Sequence, residues 1–382
     1  MTRQCDFSSA FDKMAVSRKN ASTFFSSFYI ILTLSYGTEA LRCLSNENKP
    51  VDWYIGYKLP NSAKKVSAYS LMYMDSDKPS CRLAKGTLDK PRNQAIYYTL
   101  SEIYNLKMNT SGIAYAMYND EMPKTLSVDN VPNTARGHTK GVLGFDKETG
   151  FWLVQSTPKF PPVRNDGYSY QNTKYAQSFL CISMATSKNL NEIGKQLQYN
   201  WPLIYDKNLP KEFADKYGDF KTALKGKHVN DPPWYRQTKL VSLAGVTFTS
   251  FAKYSEWGKD LYADWLAPSF KDSLRVQTWQ NGKGKMDSRC NGAYKVMNIV
   301  AMGFDAIGYE FTSTQDHSKW AITDSSKLAW VCIGDINRQE PQMKRPGGTV
   351  CFQHKVVWKA FNDLVKKIEP CNDHNNSILP DF

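Results

Sequence analysis

The sequence predicts a mixed α/β fold of the α+β kind, and three observations lead there. Short strand-like runs alternate with helical patterns, no low-complexity linker divides the chain, and one three-residue pattern recurs about half a chain apart. Trp53 to Leu59 alternates as a half-buried strand does. Ile113 to Tyr118 is apolar with aromatics, and Phe151 to Gln155, Phe179 to Met184 and Ala329 to Ile333 are short apolar runs. Helical spacing marks Asn93 to Leu106, Leu190 to Leu197 and Val356 to Ile368. Tyr254 to Leu266 is a further predicted helix, ending before Pro268. Proline and glycine clusters place loops at Lys159 to Gly167, Asp231-Pro232-Pro233 and Arg345-Pro346-Gly347-Gly348.

The first forty residues read as a leader. Arg18 and Lys19 form a basic start, Phe24 to Tyr36 is apolar, and Gly37-Thr38-Glu39-Ala40 places small residues before a cut after Ala40. Met14 as the starting residue would put the basic pair at the front. The alternative, an uncleaved anchor, is disfavoured because the run falls short of the ~20 residues a span needs. Cleavage would leave no stable membrane span. The mature chain divides into an N-terminal half, 41–185, and a C-terminal half, 186–382, within one continuous domain.

The chain carries 49 Lys plus Arg against 36 Asp plus Glu, a net charge of +13. The leader takes away four basic and three acidic residues, so the mature protein keeps +12. An excess of that size suits a polyanion, either nucleic acid or an anionic membrane surface. Seven cysteines follow the leader and none forms a CxxC pair, which argues against a zinc ribbon or a thioredoxin-like site. In a secretory compartment disulfides are the better reading, with one thiol left over. Asn109-Thr110-Ser111 and Asn375-Asn376-Ser377 are glycosylation sequons that fit a lumenal protein.

His138-Thr139-Lys140 and His317-Ser318-Lys319 are the recurring pattern, 179 residues apart. Each is followed by an apolar strand that begins at a tryptophan, Trp152 lying 14 residues after His138 and Trp330 lying 13 after His317. On a strand, residues i and i+2 share a face, so each unit aims an imidazole and an ammonium at one point. Two facing units supply what phosphodiester cleavage needs. One imidazole attacks phosphorus, the other protonates the leaving oxygen and then activates water, and the lysines offset charge on the phosphoryl oxygens. No metal or other cofactor is required, and no Asp/Glu/His cluster of a two-metal nuclease is evident. His228, His354 and His374 lack a lysine partner and read as structural or solvated.

These residues resemble the deoxyribonuclease II family, acid endonucleases of the phospholipase D-like superfamily. The likeness spans nearly the whole mature chain. It rests on Val51-Asp52-Trp53, Tyr118-Asn119-Asp120, Gly137-His138-Thr139-Lys140-Gly141, Trp152-Leu153-Val154-Gln155-Ser156 with Phe160-Pro161-Pro162, and Gln177-Ser178-Phe179-Leu180-Cys181. Later come Asp316-His317-Ser318-Lys319-Trp320 and Trp330 to Arg338. The resemblance implies a pseudo-dimeric fold with two similar halves and a shared cleft. It implies metal-independent, acid-favoured DNA cleavage leaving 3′-phosphate and 5′-hydroxyl ends, in lysosomes or outside the cell, for clearance of engulfed or apoptotic DNA. It carries catalysis onto His138, Lys140, His317 and Lys319. The superfamily's acidic residue seven after each histidine falls on Asp324 in the second half, whereas Asp146 is eight after His138. Gly334 and Asn337 match a further superfamily element, and Asp335 is a candidate for orienting an imidazole. Family disulfides would be Cys43–Cys181, Cys290–Cys371 and Cys332–Cys351, with Cys81 the odd thiol. The stretch Tyr170 to Ala176 is shorter than the family pattern, and Ala176-Gln177 stands where Gly-Gln is usual.

The expected partner is therefore duplex DNA, with little sequence preference because backbone contacts carry no sequence information directly. A homodimer is compatible with the sequence. Trp279 and Trp320 are candidates for lining the cleft, although core packing is the commoner fate of such residues. Three rival readings remain: a phospholipase D-type lipid hydrolase, a non-catalytic DNA-binding homologue, and a metal-dependent neutral nuclease.

Overall fold

The fold is built from two large, mostly antiparallel sheets that face each other across one core. This computed structural model describes residues 40–63, 66–106, 112–126, 135–171 and 174–371. Residues 1–39 of the leader, both sequons and His374 lie outside the described residues.

The first sheet holds eight strands among the described residues, in the spatial order Ile204–Asn208, Ala114–Tyr118, Gly141–Phe145, Thr149–Gln155, Gln177–Ala185, Trp53–Lys58, Ser70–Asp75 and Arg82–Thr87. All neighbours are antiparallel. Its edge strand Ile204–Asn208 comes from beyond residue 186. The second sheet runs Tyr235–Val241, Thr247–Lys253, Gly347–Gln353, Trp330–Gly334, Trp320–Thr323, Leu274–Gln277, Val296–Phe304 and Tyr309–Thr312. Leu274–Gln277 and Val296–Phe304 are its parallel pair. This pairing makes the fold α+β, as the sequence predicts.

Strand alternation sorts the side chains. Trp53, Ile55 and Tyr57 face the shared core with Trp152 and Val154, while Tyr54 turns to the opposite face. From the second sheet, Phe248, Trp320, Ile322, Val331 and Phe352 fill the same core. Trp53 and Phe352 meet across it at 5.5 Å between ring centres. Fully burying a side chain of this kind contributes ~1.5–3 kcal/mol. Helices cover the outer faces: Ala95–Tyr104 on the first sheet, and Ala267–Phe270 with its preceding turn on the second.

Two predicted helices differ from expectation. The segment Val356 to Ile368 is helical only over Lys355–Leu364, after which Val365–Ile368 pairs with Val296–Phe304. A short apolar run has no intrinsic way to distinguish helix from strand, and the open ladder decided it. Tyr254 to Leu266 breaks at Gly258, whose φ is 66°, and resumes as a π turn at Tyr262–Leu266. Pro268 does not end it but stands in the first turn of Ala267–Phe270. Gly347-Gly348, expected in a loop, instead open the strand Gly347–Gln353.

The disulfides are Cys43–Cys181, Cys290–Cys371 and Cys332–Cys351. Cys81 is the free thiol, half-buried, with its pKa pushed up to about 12 by burial against a smaller opposing effect of Arg82.

Candidate active site

Each His-x-Lys unit stands immediately before a strand of its sheet. His138-Thr139-Lys140 leads into Gly141–Phe145, and His317-Ser318-Lys319 leads into Trp320–Thr323. The units extend the ladders: the amide of Gln155 donates to the carbonyl of Lys140 (3.1 Å), and that of Gly334 to the carbonyl of Lys319 (2.9 Å). Gln155 and Gly334 each lie seventeen residues after their histidine. By that register the counterpart of Trp152 is Val331, not Trp330. Trp152 and Val331 enter the shared core, whereas Trp330 turns outward and stacks on Phe270. The histidine echo is thus matched in space and the tryptophan echo is not.

The residue after each of these ladder positions holds the imidazole of the opposite unit. Nδ1 of His138 donates to the main-chain carbonyl of Asp335 (2.5 Å), and Nδ1 of His317 to that of Ser156 (3.1 Å). A carbonyl oxygen only accepts, so in these bonds the proton sits on Nδ1 and the neutral ring presents the Nε2 lone pair; at His317, Gln177 Oε1 (3.4 Å) is a further acceptor and Nζ of Lys319 (3.2 Å) competes for the same nitrogen. The rings lie 6.4 Å apart, centre to centre, on a tilt of 64°. Close packing fixes the first unit: a Cβ on Gly137 would overlap the carbonyl oxygen of Asn200, and one on Gly141 would lie 2.6 Å from that of Leu153. Tyr57 bonds to Asp316 and, at 3.0 Å, to Ser318, bracing the second unit from the facing sheet.

Lys140 and Lys319 are almost fully buried. Lys140 is ion-paired to Asp120, whose carboxylate also receives Nη2 of Arg345 at 3.1 Å and lies 3.6 Å from Nε2 of His138. Burial opposes ionisation of Asp120, but Lys140 and Arg345 outweigh it and hold the carboxyl below its ordinary range. Burial, then the neighbouring Lys140, Lys319 and Arg345, push the pKa of His138 well below 6.5. Burial, Lys319 and Lys140 do the same to His317. Burial lowers Lys319 too, with Lys140 adding repulsion. The site is a buried, electropositive cluster that favours an incoming anion and disfavours charging of either imidazole.

This pair of lysine-flanked imidazoles, clasped across two sheets, coincides with a family match. The deoxyribonuclease II pattern covers residues 42–371. The chain belongs to the deoxyribonuclease II family. Among its relatives, Plancitoxin-1 of Acanthaster planci is 42% identical over 350 residues, 90% of this chain and 96% of its own. Deoxyribonuclease-2-alpha of Rattus norvegicus is 40% identical, covering 91% of this chain and 99% of its own. Cell death-related nuclease 6 of Caenorhabditis elegans is 36% identical, covering 90% and 92%. As an enzyme the chain is a deoxyribonuclease II-type endonuclease.

Other candidate residues of this deoxyribonuclease II chain separate in space. Asp324 follows the far end of Trp320–Thr323 and pairs with Arg275 at 2.7 Å, part-exposed at the surface. Asp146 accepts from the amides of Leu41, Glu148 and Thr149 and shapes a turn. Neither carboxylate is bonded to an imidazole. Asp335 reaches His138 through its main chain; its side chain accepts from the amide of Gly348 (2.8 Å). Burial raises that carboxyl to about 6, against opposing bonds from Thr139 and Gly348. Asn337 is buried, its amide oxygen without a partner among the described residues. Trp320 lies in the core, whereas Trp279 is part-exposed and meets His317 edge-on at 5.0 Å. His228 stacks on Tyr254, and His354 caps the helix Lys355–Leu364. Sequence reasoning missed the roles of Asp120, Arg345 and Ser156. Asp120 and Ser156 end two of the family-like motifs, while Arg345 opens a segment assigned to a loop. Ala176, the departure from Gly, accepts from the amide of His317 through its main chain (3.0 Å), a bond that any residue type makes.

Proposed function

We propose that this chain is a metal-independent acid endodeoxyribonuclease with a pseudo-dimeric, phospholipase D-like catalytic domain. The observation that carries the reading is the cross-clasped pair, His138 and His317, with Nε2 of each left for chemistry. Nε2 of His138 attacks phosphorus; the P–O5′ bond breaks as His317, protonated, gives its proton to O5′. The 5′-hydroxyl leaves and a 3′-phosphohistidine remains. His317, now neutral, takes a proton from water. The resulting hydroxide attacks phosphorus, the P–N bond breaks, and a 3′-phosphate is released. Lys140 and Arg345, joined by Lys319 once the phosphate's negative charge offsets the burial that lowers its pKa, supply the positive charge that a metal would otherwise bring to the phosphoryl oxygens.

DNA as substrate is supported by the family and by the basic balance of the chain. Among the described residues no helix is long and apolar enough to cross a membrane. With the predicted leader, this supports action in the secretory pathway, in lysosomes or outside the cell, on duplex DNA.

The test is plasmid cleavage at pH 5 in excess EDTA by wild type, His138→Ala and His317→Ala. Cutting by the wild type alone, with 3′-phosphate ends, is expected. Activity lost to chelator would return the metal-dependent reading, and turnover of lipid diesters but not DNA the lipase reading. Binding without cleavage would leave a DNA-binding homologue. Phosphate trapped on His317 alone would reverse the two histidine roles.

A further inference from the structure

We infer that the turn Lys225-Gly226-Lys227 is a second phosphate-binding subsite, engaging a DNA strand a few nucleotides from the scissile bond. The inference rests on the nuclease reading above and deepens it. The turn follows the helix Gly218–Leu224, and Gly226 there has a φ of 73°. Two groups leading to the active site seize its carbonyl oxygen: Nη1 of Arg136 at 3.2 Å and Nε1 of Trp201 at 3.0 Å. The guanidinium of Arg136 lies over the Trp201 indole at 4.4 Å, and the indole packs on His228 at 4.5 Å.

Both anchors connect directly to the catalytic unit. The carbonyl of Trp201 accepts from the amide of Gly137 (3.0 Å), the residue before His138. The carbonyl of Arg136 accepts from Nε of Arg345 (3.2 Å), the arginine on Asp120. Arg136 is two residues from His138, at most ~7 Å of chain. A strand advances ~3.4 Å per nucleotide along the duplex axis, so a few nucleotides span the gap from His138 through the Arg136 side chain to the turn.

The turn's lysines are suited to phosphates rather than to the fold. Lys225 and Lys227 are exposed, and neither is ion-paired to a described residue. The carboxylates of the preceding segment are engaged elsewhere, Asp215 with Lys211 and Asp219 with Lys195. The turn is therefore held rigidly by its main chain while its two ammonium groups project from a fixed base. Such contacts orient a strand without reading its sequence.

The experiment compares wild type with Lys225→Gln/Lys227→Gln on duplex DNA, measuring kcat and KM from 50 to 200 mM salt. The double variant should show a higher KM at unchanged kcat. Its slope of log(kcat/KM) against log salt should be shallower by about 1.8, that is ~0.9 for each phosphate no longer neutralised. Lys227→Gln alone should give half that change, and Lys225→Arg/Lys227→Arg should restore the wild-type slope. A double variant that melts like the wild type and keeps its slope overturns the subsite alone. A wild type that does not cut DNA overturns the nuclease reading, and this inference with it.

Discussion

Nδ1 of His138 donates to the main-chain carbonyl of Asp335, 197 residues further along the chain. The reciprocal bond, from His317 to the carbonyl of Ser156, spans 161 residues. Each imidazole is thus oriented by the backbone of the other unit. A main-chain acceptor has no side-chain rotamer to change and no charge to titrate, so both Nε2 atoms stay aimed at the cleft, protonated or not, across the working pH range.

Activity should rise as pH falls from 8, with the midpoint of the limb below 6.5. The proton donor must be charged, and both histidines resist charging in the free enzyme because of burial and the nearby lysines. A pH–rate profile flat from 4.5 to 8 would sink the mechanism. Stability moves the other way. A histidine with a depressed pKa contributes stability that is full above its unfolded value, ~6.5, and lost as pH falls toward the folded value. The free wild type should therefore lose more Tm between pH 7 and pH 5 than His138→Gln/His317→Gln does.

Asp120→Asn should abolish most DNA cleavage and destabilise the fold by ~3–5 kcal/mol, the usual cost of leaving one member of a buried pair uncompensated. Lys140 would lose its carboxylate partner and Arg345 its anchor. Chemical denaturation at pH 7 measures the loss; a change under 1 kcal/mol would show that the ion pair is not maintained in solution.

Asp335→Asn should stabilise the protein at pH 7 relative to pH 4. The carboxyl is raised to about 6, so its contribution is full below the unfolded value of ~3.9 and disappears as pH rises through 6. The shift corresponds to about 3 kcal/mol at most. Guanidinium melts of both proteins at pH 4 and 7 test it, and an equal difference at the two pH values would refute the raised pKa.

Gly137→Ala should impair activity and stability together, because a methyl group there has no room beside the Asn200 carbonyl. Shifting it moves the backbone of His138, whose amide donates to the carbonyl of Pro346 (2.9 Å). A variant with wild-type Tm and kcat would show that the neighbouring backbone yields freely.

The sequence by itself determined the family, the fold class, the outline of the strands and the two His-x-Lys units from which the chemistry is proposed. Those follow from residue type and short-range spacing: an imidazole and an ammonium two residues apart, and apolar runs with the period of a strand. Tertiary structure decided what depends on contacts between distant segments. It left Asp324 at the surface with Arg275, made Asp120 the carboxylate of the site, and drew Arg345 into it from a segment read as a loop. It gave Asp335 its role through a carbonyl that every residue possesses, which no side-chain pattern reports. It also ended the last predicted helix early by offering Val365–Ile368 an open ladder. The physical reason is common to all five. Burial and hydrogen-bond partners belong to the packed molecule, and the same residue acquires a different charge, acceptor or backbone conformation according to what the fold places beside it.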